Sequence, residues 1–248
     1  MRQAIHPAFV RLKTSSVSPS SEGPPGSDPL GHMASMMVHD LNNILQVVSG
    51  NLTLAIADPD AEGRRRRLDV SLAALRSGTE LTTNILDYCR QRGSSSLPDT
   101  VITAAHVTGM TTLLRDAAGD GVEIVVHVAP DLWPFRANLH RLRNALLNLV
   151  INAKEAMAGQ GHLRFDTGNI CCPEGADQIW VSVTDDGPGI PPAILDQVLV
   201  PFYTTKPNGT GLGLAAVAEF ARMSSADLVI ESRLTFGTRV TIEFPRCT

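Results

Sequence analysis

Residues 202–214 read FYTTKPNGTGLGL, with glycine at every second position from Gly209 to Gly213. Glycine adopts backbone conformations closed to other residues and lets a ligand approach the main chain. The stretch runs into a helical pattern over 211–223, and the free N–H groups at a helix N-terminus bind anions. A phosphate-binding turn is therefore predicted, with an ordinary tight turn as the alternative when this stretch is taken alone.

A second glycine cluster lies upstream, where residues 185–190 read DDGPGI after a predicted strand over 179–184. Asp185 ends that strand, and Gly187 and Gly189 allow the chain to turn sharply beside it. The chain lacks the pattern G-x-x-x-x-G-K-[ST], so these glycines do not form a P-loop.

A helix predicted over 138–157, capped by Asn138, carries two carboxamides on an otherwise aliphatic face. Asn148 and Asn152 are four residues apart and therefore share one side of the helix. Burying amides without partners costs free energy. The two are predicted to be either a hydrogen-bonded core pair or oxygen ligands for Mg²⁺, which binds together with substrate phosphates.

The part of the chain from 99 to 248 alternates helices with strands, and the strands are predicted over 122–129, 163–167, 179–184, 228–231 and 238–244. This order predicts an α+β sandwich, with helices on one face of a mixed sheet. Residues 93–98 are a Ser- and Gly-containing linker in front of it.

Residues 31–93 have helical periodicity, and the apolar stripe of the first helix consists of Met33, Met37, Leu41, Ile44, Val48 and Leu52. His39 and Asn43 fall on the opposite face. The segment Asp58-Pro59-Asp60, with Gly63, breaks the helix, and a second helix follows. One hairpin cannot cover both apolar seams, so we expect two copies to form a dimeric four-helix bundle.

The composition of the 248 residues, 43% hydrophobic and 19% charged, is that of a globular protein. The net charge of -4 argues against a nucleic-acid partner. No apolar run could span a membrane, and residues 1–10 hold no signal-peptide core, so a cytoplasmic location is expected. Residues 1–30, rich in Ser, Pro and Gly, are predicted to be a disordered tail. The basic run 64–67 is either a solvated face or a contact with an acidic partner.

Five motifs together resemble the bacterial two-component sensor histidine kinases in order and spacing. They are HDLNN at 39–43, Asn148-x-x-x-Asn152, Asp185-x-Gly187-x-Gly189, FYTTK at 202–206 and Gly209-x-Gly211-x-Gly213. They correspond to the family's H, N, first glycine, F and second glycine boxes, over about residues 30–247. The first helix is closest to the cores of hybrid kinases, and residues 99–248 resemble the Bergerat ATP-binding fold.

The resemblance implies a role for each matching residue. His39 would be the phosphoacceptor, Asp40 would orient its imidazole and take its proton, and Asn43 would position water in a phosphatase reaction. The implied contacts with ATP and Mg²⁺ are Asp185 at the adenine amine, Gly187 and Gly189 beside it, Asn152 as the metal ligand, Asn148 near the phosphates, Lys206 at the γ-phosphate, and Gly209, Thr210, Gly211, Leu212 and Gly213 in the ATP lid. Thr238 would support Asp185.

The implied activity is that of an ATP-dependent protein-histidine kinase, a phosphotransferase. It would phosphorylate its own His39 and pass the phosphoryl group to an aspartate of a separate response regulator, working as a homodimer. The alternative is a histidine phosphotransferase or phosphatase with a relic ATP-binding domain, because only Pro207 and Asn208 separate Lys206 from Gly209 in a short lid.

A third interpretation is a non-kinase ATPase of the same superfamily. Related ATPases carry a glutamate base four residues before the metal-binding asparagine, where this chain has Asn148. Without a carboxylate to activate water at that position, transfer to histidine is favoured over hydrolysis.

Overall fold

The computed structural model describes residues 10–14, 44–72, 74–75, 78, 99–173, 175–206 and 209–247. The chain divides into two compact units, one of Met1–Ser18 with Arg90–Thr248 and the other of Pro19–Cys89. His39, Asp40 and Asn43 lie outside the described residues, so their assigned roles stay predictions.

The smaller unit is a helical hairpin in its described part. Helix α1 covers residues 44–57 and helix α2 covers residues 61–72, with the predicted break between them. Gly78 is also helical and lies beyond the C-terminal end of that range. A Cβ atom built on it would lie 3.3 Å from Cγ2 of Ile44, so the start of α1 is close to the chain that follows residue 72. The two helices therefore run antiparallel.

The turn between α1 and α2 is held by its own charged residues. Asp60 caps α2, since its Oδ2 accepts the N–H of Gly63 at 2.8 Å, and Gly63 lies inside the helix rather than in the break. Arg67 Nε lies 3.0 Å from Asp58 Oδ2, and this bond lowers the pKa of Asp58. Arg64 donates to the carbonyl oxygen of Asp58 at 2.8 Å. Part of the basic run is thus used within the hairpin.

The larger unit is an α+β sandwich, as predicted. In chain order its elements are β1 (Val10–Lys13), β2 (Thr100–Ile102), α3 (Ala104–Ala118), β3 (Val122–His127), β4 (Phe135–Ala137), α4 (Leu139–Ala156), β5 (Gly161–Ile170), β6 (Gln178–Asp185), α5 (Gly213–Met223), β7 (Asp227–Arg233) and β8 (Gly237–Pro245). The main sheet has the order β1-β7-β8-β6-β5-β3, and β2 pairs with β4 in a separate ribbon. Within the main sheet, β3 and β5 are parallel and the other neighbours are antiparallel.

Helix α4 is the centre of the packing. It lies between α3 and α5 and contacts β5 and β6. Asn138 caps it as predicted, with its Oδ1 accepting the N–H of Arg141 at 3.0 Å. Its buried face consists of Leu142, Ala145, Leu146, Leu149, Val150 and Ala153. The spacing of these residues leaves the opposite side of the helix free to carry polar groups.

The structure also differs from the sequence predictions at the start of the larger unit. The prediction of a disordered tail over 1–30 is wrong for residues 10–13, which form an edge strand on β7. Helix α3 and the β2–β4 ribbon are absent from the sequence predictions. The two strands of the ribbon are short and depend on each other as partners that are distant in sequence. In the described part of the chain, no helix is both long and apolar enough to cross a membrane.

Ser182 on β6 gives a direct test of the packing. Its hydroxyl is buried, and no hydrogen-bond partner reaches it in the described structure. An unsatisfied buried hydroxyl destabilises the fold, so Ser182→Ala should raise the free energy of unfolding by about 1 kcal/mol in urea denaturation.

The matched control for Ser182→Ala is a buried hydroxyl that does have a partner. Thr167 Oγ1 accepts the N–H of Ala129 at 2.9 Å, so Thr167→Val should lower the free energy of unfolding by about 1 to 2 kcal/mol. A loss of stability in Ser182→Ala would contradict this description of the β6 environment.

Candidate nucleotide-binding site

Asp185 is a buried carboxylate at the end of β6, only 9% exposed. Its Oδ1 accepts the N–H of Gly187 at 2.9 Å and the N–H of Thr238 at 3.3 Å. Burial raises the pKa of Asp185, and the charge of Asp186 adds to the rise, while the two N–H bonds oppose it. Thr238 thus contacts Asp185 through its main chain, whereas its side chain has another partner.

That partner is Ser232, which links the turns around the site. Ser232 lies on β7 and is 0% exposed. Its Oγ accepts the N–H of Ile190 at 2.8 Å, donates to the carbonyl oxygen of Gly237 at 3.1 Å and lies 2.9 Å from Thr238 Oγ1. Sequence analysis missed this residue, because a single serine within a strand carries no motif.

Two predicted glycines have backbone geometry that other residues resist. The φ angles are 74° at Gly189 and 63° at Gly211. A Cβ atom would strike the carbonyl oxygen of Arg233 in the first case and the main chain of Phe202 in the second. Both glycine clusters therefore form tight turns. Whether such a turn can bind a phosphate depends on the residues around it.

The second glycine turn has its own internal contacts. Thr210 Oγ1 accepts the N–H of Leu212 at 3.4 Å, and the side chain of Leu212 is buried. A Cβ atom on Gly209 would strike Thr204 Oγ1. These contacts lead the chain into α5, which begins at Gly213.

Asn152 lies against the first turn of α5. A Cβ atom on Gly213 would be 2.8 Å from Asn152 Nδ2 and 3.2 Å from its Oδ1, so a larger residue there would displace the Asn152 amide. Asn148 and Asn152 are both partly exposed, and no hydrogen bond joins them in the described structure. Of the two predicted alternatives, the buried core pair is therefore wrong.

Lys206 is paired with a residue that sequence analysis did not single out. Its Nζ lies 2.6 Å from Oε2 of Glu155, which is on α4 three residues after Asn152. The two side chains are 37% and 50% exposed, so the pair is accessible to water. Thr204 Oγ1 accepts the N–H of Lys206 at 3.1 Å and fixes the base of that side chain.

A cavity of about 440 Å³ lies between the end of α4 and the DDGPG turn, lined by Ala156, Met157, Ala158, Gln160, Asp186, Gly187, Pro188 and Thr235. Asp186 is held there by His162. The Nδ1 of His162 lies 2.7 Å from Asp186 Oδ2, and its main-chain N–H donates to Oδ1 at 2.9 Å. This contact raises the pKa of His162 and lowers the pKa of Asp186.

The C-terminal half of α4 is thus where the motifs meet. Asn152 contacts Gly213, Glu155 pairs with Lys206, and the segment 156–157 lies beside Gly187. A carboxamide, a lysine and both glycine turns therefore lie around the last turns of α4, next to the turn that holds the buried carboxylate of Asp185.

Residues 137–248 match the family described as histidine kinase-, DNA gyrase B- and HSP90-like ATPases. The sensory histidine kinase/phosphatase NtrB of Rhodobacter capsulatus is 30% identical over 215 residues, which make up 81% of this chain and 58% of NtrB. The chain is similar to the sensor histidine kinases over most of its length. The resemblance noted in the sequence is therefore confirmed.

A second relative is similar over much of this chain, and a solved structure shares its fold. The sensor kinase CckA of Brucella abortus is 27% identical over 231 residues, 88% of this chain and 24% of CckA. The matched region therefore makes up only part of each relative, 24% of CckA and 58% of NtrB. The histidine kinase ThkA, solved in complex with the response regulator TrrA, has the same fold, with a TM-score of 0.69 and 19% identity over 88% of this chain and 62% of that chain.

The histidine kinase relationship makes Asp185 the first residue to test. Its pKa is raised in the folded state, so the folded chain binds more protons than the unfolded chain just above the ordinary value of 3.8. Stability is therefore lost as the pH rises from the ordinary pKa through the raised pKa of the folded state. Asp185→Asn removes this charge, while its Oδ1 can still accept both N–H groups.

We expect Asp185→Asn to keep or raise the melting temperature at pH 7 while ATP binding is lost, measured by calorimetry with nucleotide and Mg²⁺. Ser182→Ala, three residues before Asp185 on β6, serves as the control with normal binding. Unchanged ATP affinity in Asp185→Asn would contradict the role of the carboxylate.

The pair between Lys206 and Glu155 gives a second prediction. Exposed ion pairs contribute up to about 1 kcal/mol, so Glu155→Gln should leave the melting temperature nearly unchanged. It should tighten ATP binding by about two- to fivefold. The reason is that Lys206 no longer has to break an ion pair with Glu155 before it can bind a phosphate. Weaker binding in Glu155→Gln at low salt would show that Glu155 assists the nucleotide instead.

Proposed function

We propose that this chain is an ATP-dependent protein-histidine kinase of a two-component system. The observation that carries the proposal is that the N, F and both glycine motifs meet around residues 152–157, at the C-terminal end of α4. The chain's relationship to sensor histidine kinases supports it.

The adenine end of the nucleotide is assigned to Asp185. Both N–H bonds to this carboxylate end on Oδ1, which leaves Oδ2 to accept an exocyclic amine. The cavity beside Gly187 and Met157 supplies the apolar surface that a purine requires. A buried acceptor that is fixed by two donors discriminates strongly against a base that offers no donor.

The phosphate end is assigned to Lys206, the second glycine turn and the first turn of α5. Free N–H groups at the start of α5 and the Nζ of Lys206 supply positive charge. Asn152, with Asn148 one turn before it, offers the neutral oxygen ligand that Mg²⁺ accepts alongside phosphate oxygens and water. Bound Mg²⁺ would neutralise charge on the phosphates during transfer.

Phosphoryl transfer depends mainly on positioning and charge neutralisation. A neutral imidazole near pH 7 is a competent nucleophile, so His39 is proposed as the acceptor, with Asp40 to orient its ring and take the proton. Asn43, one helical turn further, is proposed to position water when the phosphorylated regulator is hydrolysed. The phosphoryl group would pass from His39 to an aspartate of a response regulator in the cytoplasm.

A homodimer through the hairpin is part of the proposal. Large apolar side chains of α1 and α2 are exposed in the single chain, among them Ile56 at 88% and Leu54 and Leu72 at about half. Such a surface is too apolar for a free hairpin, and a second copy would bury it in a four-helix bundle.

The proposal is tested with the purified chain, radiolabelled γ-phosphate ATP and Mg²⁺, followed by acid and base treatment. We expect a label that survives base and is lost in acid, because phosphohistidine is acid-labile. His39→Ala should abolish labelling and keep ATP binding, whereas Asn152→Asp should weaken binding of ATP with Mg²⁺.

A label that persists in His39→Ala would contradict the phosphoacceptor assignment. Nucleotide binding without any label, also in the presence of a regulator, would favour the non-kinase ATPase, and absence of both would favour the phosphotransferase with a relic ATP-binding domain. His140→Ala is the matched control, since that exposed histidine lies on α4 and should label normally.

A further inference from the structure

The edge of the ATP-binding sheet is covered by residues from the start of the chain. Strand β1 pairs antiparallel with β7, in a register that runs from Val10 opposite Ser232 to Lys13 opposite Val229. An open edge strand exposes a row of unpaired N–H and C=O groups that attract another strand. Here that row is satisfied by a segment that precedes the helical hairpin in sequence.

Side-chain contacts make this pairing specific. Leu12 is 8% exposed and belongs to the hydrophobic core of the unit. Lys13 Nζ lies 3.1 Å from Asp227 Oδ2 and 3.0 Å from Glu243 Oε2. Thr14 Oγ1 accepts the N–H of Leu228 at 3.0 Å. The β7 edge therefore selects an extended segment with an apolar residue followed by a cation.

The same strand borders the nucleotide site. Val10 lies opposite Ser232, the buried residue that accepts the N–H of Ile190 in the DDGPGI turn. Ser232 also bonds Thr238, whose main-chain N–H donates to Asp185. A strand that orders the end of β7 therefore also orders the donors around the adenine carboxylate.

We propose that the β7 edge is a strand-binding surface, occupied by Val10–Lys13 of this chain, and that its occupancy strengthens nucleotide binding. Signals that reach the start of the chain can then act on the ATP-binding unit directly, by releasing this strand, as well as through the hairpin. The link to affinity rests on the proposed nucleotide site, while the strand-binding surface does not.

Hydrogen exchange of the full chain tests the surface. In Leu12→Asp, a carboxylate replaces a core side chain and should release β1, so the amides within 229–232 that donate to β1 should exchange at least tenfold faster, while those that donate to β8 keep their protection. Amides of β5 and β6 should keep their protection, which shows that the unit stays folded. A peptide of residues 8–16 added to this variant should restore protection of β7. Unchanged exchange of β7 in Leu12→Asp would overturn the strand-binding surface.

Charge reversal supplies a second test that leaves the core intact. Lys13→Glu should speed exchange of β7 by repulsion from Asp227 and Glu243, and adding D227K and E243K should restore protection. No rescue by the swapped charges would overturn the assigned specificity. Val125→Asp on β3, the opposite edge strand, is the matched control, since Val125 is already exposed and β7 should not respond.

Nucleotide affinity is then measured by calorimetry with a non-hydrolysable ATP analogue and Mg²⁺. We expect Leu12→Asp to weaken binding about fivefold, a typical size for coupling between sites, and Val125→Asp to bind normally. Faster exchange at β7 with unchanged affinity would overturn the link to the site. Failure of the unmodified chain to bind the analogue would refute the proposed function, while the exchange result would still decide on the surface.

Discussion

The carboxylate of Asp185, buried at the end of β6 and held by two main-chain N–H groups, sets the requirements for the ATP-binding unit. A desolvated charge raises the free energy of the folded state, so the surrounding turns must supply donors at fixed positions. Gly187, Thr238 and the buried Ser232 meet this requirement. The proposed function accounts for this cost, because a bound nucleotide would supply the second carboxylate oxygen with a donor.

Helix α4 meets two requirements at once. Its apolar residues hold α3, α5 and the sheet together, and its last turns present Asn152 and Glu155 to the second glycine turn and Lys206. A shift of α4 large enough to disturb one motif would disturb the core as well, because close-packed interiors resist displacement. The position of Asn152 relative to the second glycine turn is therefore fixed by the packing of the core.

The two units expose unsatisfied surface in different ways. The hairpin leaves apolar side chains exposed, which a second copy could bury. The sheet leaves an edge of polar main chain, which β1 covers with four residues and an ion-paired Lys13. An apolar surface is satisfied by any partner of suitable shape, whereas a sheet edge requires an extended segment in register.

The motifs, the α+β class, helix α4 with its cap at Asn138 and the hairpin break at 58–60 could all be predicted from the sequence, since each depends on local periodicity, capping or glycine spacing. The fold was needed to show that Glu155 pairs with Lys206, that His162 holds Asp186, that Ser232 joins the turns and that residues 10–13 form an edge strand. These contacts join residues 24 to more than 200 positions apart, and their side chains are ordinary surface or strand residues until the fold brings them together. Local features such as caps and glycine turns can be recognised in the sequence, whereas a side chain whose contact partner is distant in sequence cannot.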